Sequence, residues 1–104
     1  MIELLLYINT VRSFPLLINK ELTKIADVRA SELCVSKFSH KGWNKPSSFS
    51  YRGENLAKDF NTIKEAHFAL LDSESHYNNI VNTNFTHIGL AYKCGVLVEE
   101  FGGY

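Results

Sequence analysis

Very little in this sequence interrupts a fold or marks an unusual environment. Only two of its 104 residues are proline, so long helices are allowed and a proline-rich linker is excluded. Only two are cysteine, too few for a disulfide-dense scaffold. Cys34 and Cys94 lie 60 positions apart and in no C-x-x-C spacing of a metal or dithiol site. Joined, they would close a loop and stabilise the fold by roughly 4 kcal/mol in the chain-entropy picture. In a reducing compartment they would instead serve as two small buried hydrophobes. Both readings stay open from the residues alone.

Neither sign of charge is in excess. Eleven Lys and Arg balance eleven Asp and Glu, which speaks against a dedicated nucleic-acid binder. No apolar run approaches the ~18 residues of a membrane span. The opening stretch from Ile2 to Ile8 is apolar, but Glu3 interrupts it and no small-residue cleavage site follows. It is therefore read as part of the fold and not as a leader. Repeats and low-complexity tracts are missing too. What remains is ordinary globular usage, 45% apolar and 21% charged, in a chain that is one domain over residues 1–104.

The neutral total hides an asymmetry. Residues 1–52 carry eight basic and four acidic side chains, and residues 53–104 carry three and seven. Lys37, Lys41, Lys45 and Arg52 crowd the stretch around His40, either as a solvated loop or as an electropositive rim for an anionic ligand.

Apolar spacing outlines the elements. Leu4, Leu5, Ile8 and Val11 predict a first helix that ends at Phe14-Pro15. Asn19 is placed to cap a second, with Leu22, Ile25, Ala26, Arg29 (by its stem), Ala30, Leu33 and Cys34 on its inner face. The stretch from Lys37 to Ser50 loses periodicity and reads as a loop carrying His40 and Trp43. Thr62-Ile63-Lys64-Glu65 has the form of a capping box opening a third helix. Asp72 to Asn84 reads as a turn or short helix around His76. Phe85–Tyr92 and Val96–Phe101 read as strands joined by a tight turn at Lys93-Cys94-Gly95. Helices first and an antiparallel pair last predict an α+β domain.

Chemistry-bearing residues concentrate between positions 40 and 87. Glu54 follows Gly53 in a segment read as a loop, where the glycine would turn the backbone and expose the carboxylate. His40 and His76 lie in loop-like contexts to either side. Two imidazoles and a carboxylate are a donor set for Zn²⁺ with an open water position, or an acid–base pair for a bound substrate. Asn55 is read as a hydrogen-bonder that fixes its segment. His67 shares a face with Ile63 and Leu70 and is read as buried and satisfied; His87 falls on a strand. Trp43 is read either as a platform for a sugar or peptide or as cover for a core edge.

In order along the chain, these residues resemble one family. Ile8-Asn9 with Arg12, then Pro15-Leu16, Leu22, Ala26 and Arg29-Ala30, match two opening helices. Phe38-Ser39-His40, Gly53-Glu54-Asn55-Leu56-Ala57, Ser73-x-x-His76-x-x-Asn79-Ile80, Phe85-Thr86-x-Ile88-Gly89 and Phe101-Gly102 follow. The chain resembles the CAP superfamily of cysteine-rich secretory proteins, antigen 5 and pathogenesis-related 1 proteins, in its bacterial SCP-like branch. That resemblance implies a three-layer α/β/α sandwich with a small central antiparallel sheet. It also implies a cleft bearing two His and two Glu, and in some members a divalent metal. His40, Glu54 and His76 match cleft positions. The second Glu falls on Ser73, with Glu74 beside it and Glu65 earlier on the preceding helix as substitutes. Zn²⁺ or another divalent metal would sit on His40 and His76, and Glu54 would act on its water as general base.

Two functions follow as expectations. Ser73 in place of the second Glu favours a secreted binding or interaction module with a small ligand, lipid or protein partner. The alternative is a divalent-metal-dependent hydrolase acting on peptide or cell-envelope material. The resemblance implies an extracellular or cell-envelope location, which would favour a Cys34–Cys94 bridge.

Overall fold

The computed structural model describes residues 1–104. It runs α1 (Ile2–Thr10), β1 (Leu17–Ile18), α2 (Lys20–Val35), β2 (Tyr51–Lys58), α3 (Ile63–Leu71), α4 (Glu74–Val81), β3 (His87–Lys93) and β4 (Val96–Gly103). Local chemistry sets several of these limits. The Asn19 side chain accepts from the Leu22 N–H at 3.0 Å and caps α2. Thr62 does the same for α3 through the N–H of Glu65 at 3.1 Å. Between β3 and β4, Cys94 and Gly95 both take positive φ, 43° and 76°, the backbone that a two-residue hairpin turn demands. Cys94 is bridged to Cys34 in the last turn of α2, with Cα atoms 6.0 Å apart. Of the two readings open for the cysteines, the cross-link is the one realised.

The sheet has the order β1-β3-β4-β2. Its three long strands are antiparallel, and β1 adds two residues in parallel to β3. Two residues show no periodicity, so β1 is invisible in the sequence. It forms because Leu17 N–H and Asn19 N–H find the carbonyls of Thr86 and Ile88. Alternation then assigns the faces. Ala26, Ala30 and Leu33 of α2 meet Leu56, Ala91, Val96 and Val98 on one side. Leu4, Ile8, Ala66, Leu70 and Ile80 from the other helices meet Ala57, Ile88, Leu90, Leu97 and Phe101 on the other. The result is an α/β/α sandwich. Gly89 allows the close approach of α2, since a Cβ there would stand 2.1 Å from the Leu22 carbonyl carbon.

Helix α1 stops at Thr10, short of the expected end at Phe14-Pro15, and the expectation for Glu54 fails. Glu54 does not sit on a loop turned by Gly53; it is a buried residue of strand β2, paired along its length with β4. Gly53 serves a close contact instead, because a Cβ there would meet the Phe85 ring at 2.8 Å. The strand escapes a reading by hydrophobic alternation because two of its buried members, Glu54 and Asn55, are polar.

Candidate functional site

β2 is an edge strand, so its side chains reach the boundary between the α2 layer and the α4 layer. On the α2 side, Glu54 is almost entirely enclosed. Arg29 donates to it twice, Nε to Oε2 at 2.8 Å and Nη2 to Oε1 at 3.0 Å. The same guanidinium donates to the carbonyls of Ser39 and Lys41, both at 3.0 Å. Those two residues flank His40, so one arginine fixes both the carboxylate and the loop that delivers the imidazole. His40 Nδ1 lies 2.9 Å from Glu54 Oε1, within hydrogen-bond distance, while more than half of the His40 side chain stays exposed. Burial pushes the Glu54 carboxyl up, but the neighbouring Arg29, Glu100 and His40 side chains outweigh it and hold the group below its ordinary range.

Glu100 lies directly opposite Glu54 in the β2–β4 register and on the same face. It is fully buried and receives Arg52 Nη2 at 3.3 Å. Burial, then the hydrogen bond and charge of Glu54, push its carboxyl up to about 10. On the α4 side, Asn55 Nδ2 donates to the His76 carbonyl and to Glu99 Oε1, both at 3.1 Å. Asn79 Nδ2 donates to Asn55 Oδ1 at 2.9 Å. Burial pushes Glu99 up to about 7 against the opposing bond from Asn55. His76 is lowered by burial and then by the charge of His40, and its Nδ1 is buried without a partner.

An open pocket of about 180 Å³ lies over this arrangement, lined by His40, Trp43, Gly53 and Glu54. The Arg52 guanidinium stands 6.0 Å from the Trp43 ring centre, so Trp43 forms a pocket wall. The basic rim is partly spent: Lys45 pairs with Glu32 at 3.0 Å and Arg52 turns inward. Glu65 and Glu74 are exposed on α3 and in the first turn of α4, and neither makes a hydrogen bond to the His40–Glu54 pair. Ser73 sits at the N-terminus of α4 without a side-chain cap bond. His67 is buried against Tyr7, ring centres 5.9 Å apart, but its Nδ1 has no partner, so it is not satisfied as expected.

Three important residues are not among the sequence candidates: Arg29, Glu99 and Glu100. Arg29 reads as an apolar position because its spacing matches the buried stripe of α2. The signal for the acids is adjacent charge inside an apolar strand. Whichever way Val96–Phe101 faces, one of Glu99 and Glu100 must point into each packed layer.

As arranged, these side chains do not fit a metal centre. No three His, Cys, Asp or Glu side chains are grouped to hold a metal ion. The carboxylate that would complete a set with the two imidazoles has both oxygens committed, Oε2 to Arg29 and Oε1 to Arg29 and His40.

Known proteins share the arrangement of the chain. The family model for CAP, the cysteine-rich secretory protein family, matches residues 11–96. YkwD, an uncharacterised protein of Bacillus subtilis, is 37% identical over 89 residues, which is 75% of this chain and 35% of that protein. The chain thus spans about a third of that relative. Among solved structures, an extracellular SCP-domain protein from Bacillus anthracis superposes with a TM-score of 0.80 at 21% identity, over 100% of this chain and 40% of that one. A cysteine-rich secretory protein from Staphylococcus aureus gives 0.82 at 20% identity, over 99% and 38%. An outer surface protein of Borrelia burgdorferi gives 0.79 at 25% identity, over 99% and 91%.

Proposed function

The chain belongs to the cysteine-rich secretory protein (CAP) family, and from that membership we propose that it is a binding module without catalysis of its own, working outside the cell or in its envelope. Its ligand site is the pocket walled by His40 and Trp43 and floored by Gly53 and Glu54. The observation that carries this reading is the pair of hydrogen bonds from Arg29 to Glu54. A general base needs a carboxylate free to take a proton, and this one is held as an anion by a buried guanidinium. Glu54 is therefore a structural anion that orients His40. The pocket offers one aromatic wall and one imidazole, which suits a small polar ligand better than an extended chain.

The location rests on two supports. The Cys34–Cys94 bridge lies at an exposed turn, which suits an oxidising compartment. The relatives include an extracellular protein and an outer surface protein.

The test is incubation with soluble cell-wall fragments and with a mixed peptide digest, each with and without added Zn²⁺. We expect no new products under any condition, and backbone amide shifts confined to the pocket for whichever probe binds. Release of products by the wild-type protein that is lost in Glu54→Gln would replace this reading with the hydrolase.

A further inference from the structure

We propose that Glu100 is a positioning residue of this site: its Oε2 keeps a proton and donates a hydrogen bond through it to Glu54, which leaves Glu54 the anion that orients His40. His40 Nε2 is thereby left as an acceptor for a hydroxyl or amide N–H of the ligand. The proposal rests on the pocket being the ligand site and adds what that ligand must carry.

Geometry makes the argument. Side chains directly opposite in an antiparallel pair stand with Cβ atoms about 5 Å apart. Glu54 and Glu100 are such a pair, on one face and both enclosed. Two facing anions in that position would repel strongly, so the pair holds one proton between them. Arg29 decides which carboxyl keeps it. A guanidinium spanning both oxygens of Glu54 requires an acceptor at each, whereas Glu100 meets Arg52 through one oxygen only. Glu100 Oε2 is buried with no donor aimed at it. A carboxyl oxygen so placed is satisfied when it is itself the donor.

The surrounding charges agree. α2 brings Arg29, β2 brings Arg52 and Glu54, the loop before β2 brings His40 behind Glu54, and β3 brings Gly89, which has no charge. Burial and the facing carboxylate both favour the neutral acid at Glu100.

The tautomer of His40 follows. An ionised Glu54 only accepts, so the neutral imidazole must carry its proton on Nδ1 and present a bare Nε2. Were the shared proton on Glu54, the roles would reverse and Nε2–H would face the pocket.

The experiment is carbon-13 and nitrogen-15 NMR of the full chain without ligand, between about pH 6 and about pH 8. We expect the Glu100 carboxyl carbon to keep the shift of a neutral acid throughout, and His40 to be the Nδ1–H tautomer once neutral. Glu100→Gln, whose amide still donates to Glu54, should fold and show the same tautomer. An ionised Glu100 in the folded wild-type protein, or a neutral His40 protonated on Nε2, overturns the proposal. Because no ligand is present, failure of the pocket to bind anything would sink the functional reading and leave this result standing.

Discussion

Arg29 carries more of the site than any residue that touches the pocket. It is almost completely buried, yet its guanidinium reaches Glu54, two loop carbonyls and, at 3.4 Å, Glu32. Removing one member of a buried pair strands the other charge, at a cost of about 3–5 kcal/mol, whereas replacing both with apolar groups is far cheaper. Arg29→Met should therefore destabilise the protein by about that amount in urea unfolding. Arg29→Met combined with Glu54→Leu should recover a large part of the loss. Equal losses in the single and double variants would show that the pair contributes packing rather than charge.

Among the elements, α2 is the one that assembles the site. It packs across β3 and β4, delivers Arg29, and carries in its last turn Cys34, which is tied to the β3–β4 turn. Its seat depends on Gly89, where a side chain would collide with the backbone of Leu22 and Thr23 rather than with a movable side-chain end. Gly89→Ala should therefore lift the start of α2 and cost about 3 kcal/mol or more, visible as a lowered thermal midpoint. The same variant should broaden or shift the His40 resonances, because Arg29 moves with the helix. A midpoint unchanged from wild type would mean that α2 slides along the sheet without loss.

For the molecule as a whole, buried ionisable groups shape stability from both sides of neutrality. Glu99 and Glu100 are raised in the fold, to about 7 and about 10, from an ordinary 4.5. Their contribution is complete below that ordinary value and is lost as pH rises through the folded values, because the unfolded chain ionises first. Glu54, His67 and His76 are lowered in the fold. Their contributions are present above the ordinary values and fade as pH falls. Stability should therefore fall on both sides of a maximum at mildly acidic pH. Glu99→Gln should flatten the decline between about pH 5 and pH 7 specifically. A urea series across pH reads this directly, and an unaltered slope in Glu99→Gln would mean that Glu99 is ionised in the fold.

What the sequence determined by itself is whatever depends on neighbours in the chain. The helix starts at Asn19 and Thr62, the α2 stripe and the Cys94-Gly95 turn are all local events, set by spacing and by caps within three residues. The family was legible as well, because Gly53-Glu54-Asn55 and Ser73-x-x-His76 keep their order. Tertiary structure alone decided the rest. Whether Cys34 meets Cys94 depends on where α2 ends above the hairpin. That Glu54 is buried in a strand rather than exposed on a loop depends on β4 pairing with it and on Arg29 neutralising it. Periodicity could not show this, since it treats a buried polar residue as an exposed one until its partner is seen. Glu100 joins the site because strand register places it opposite Glu54, 46 positions earlier in the chain, a contact that no local rule encodes.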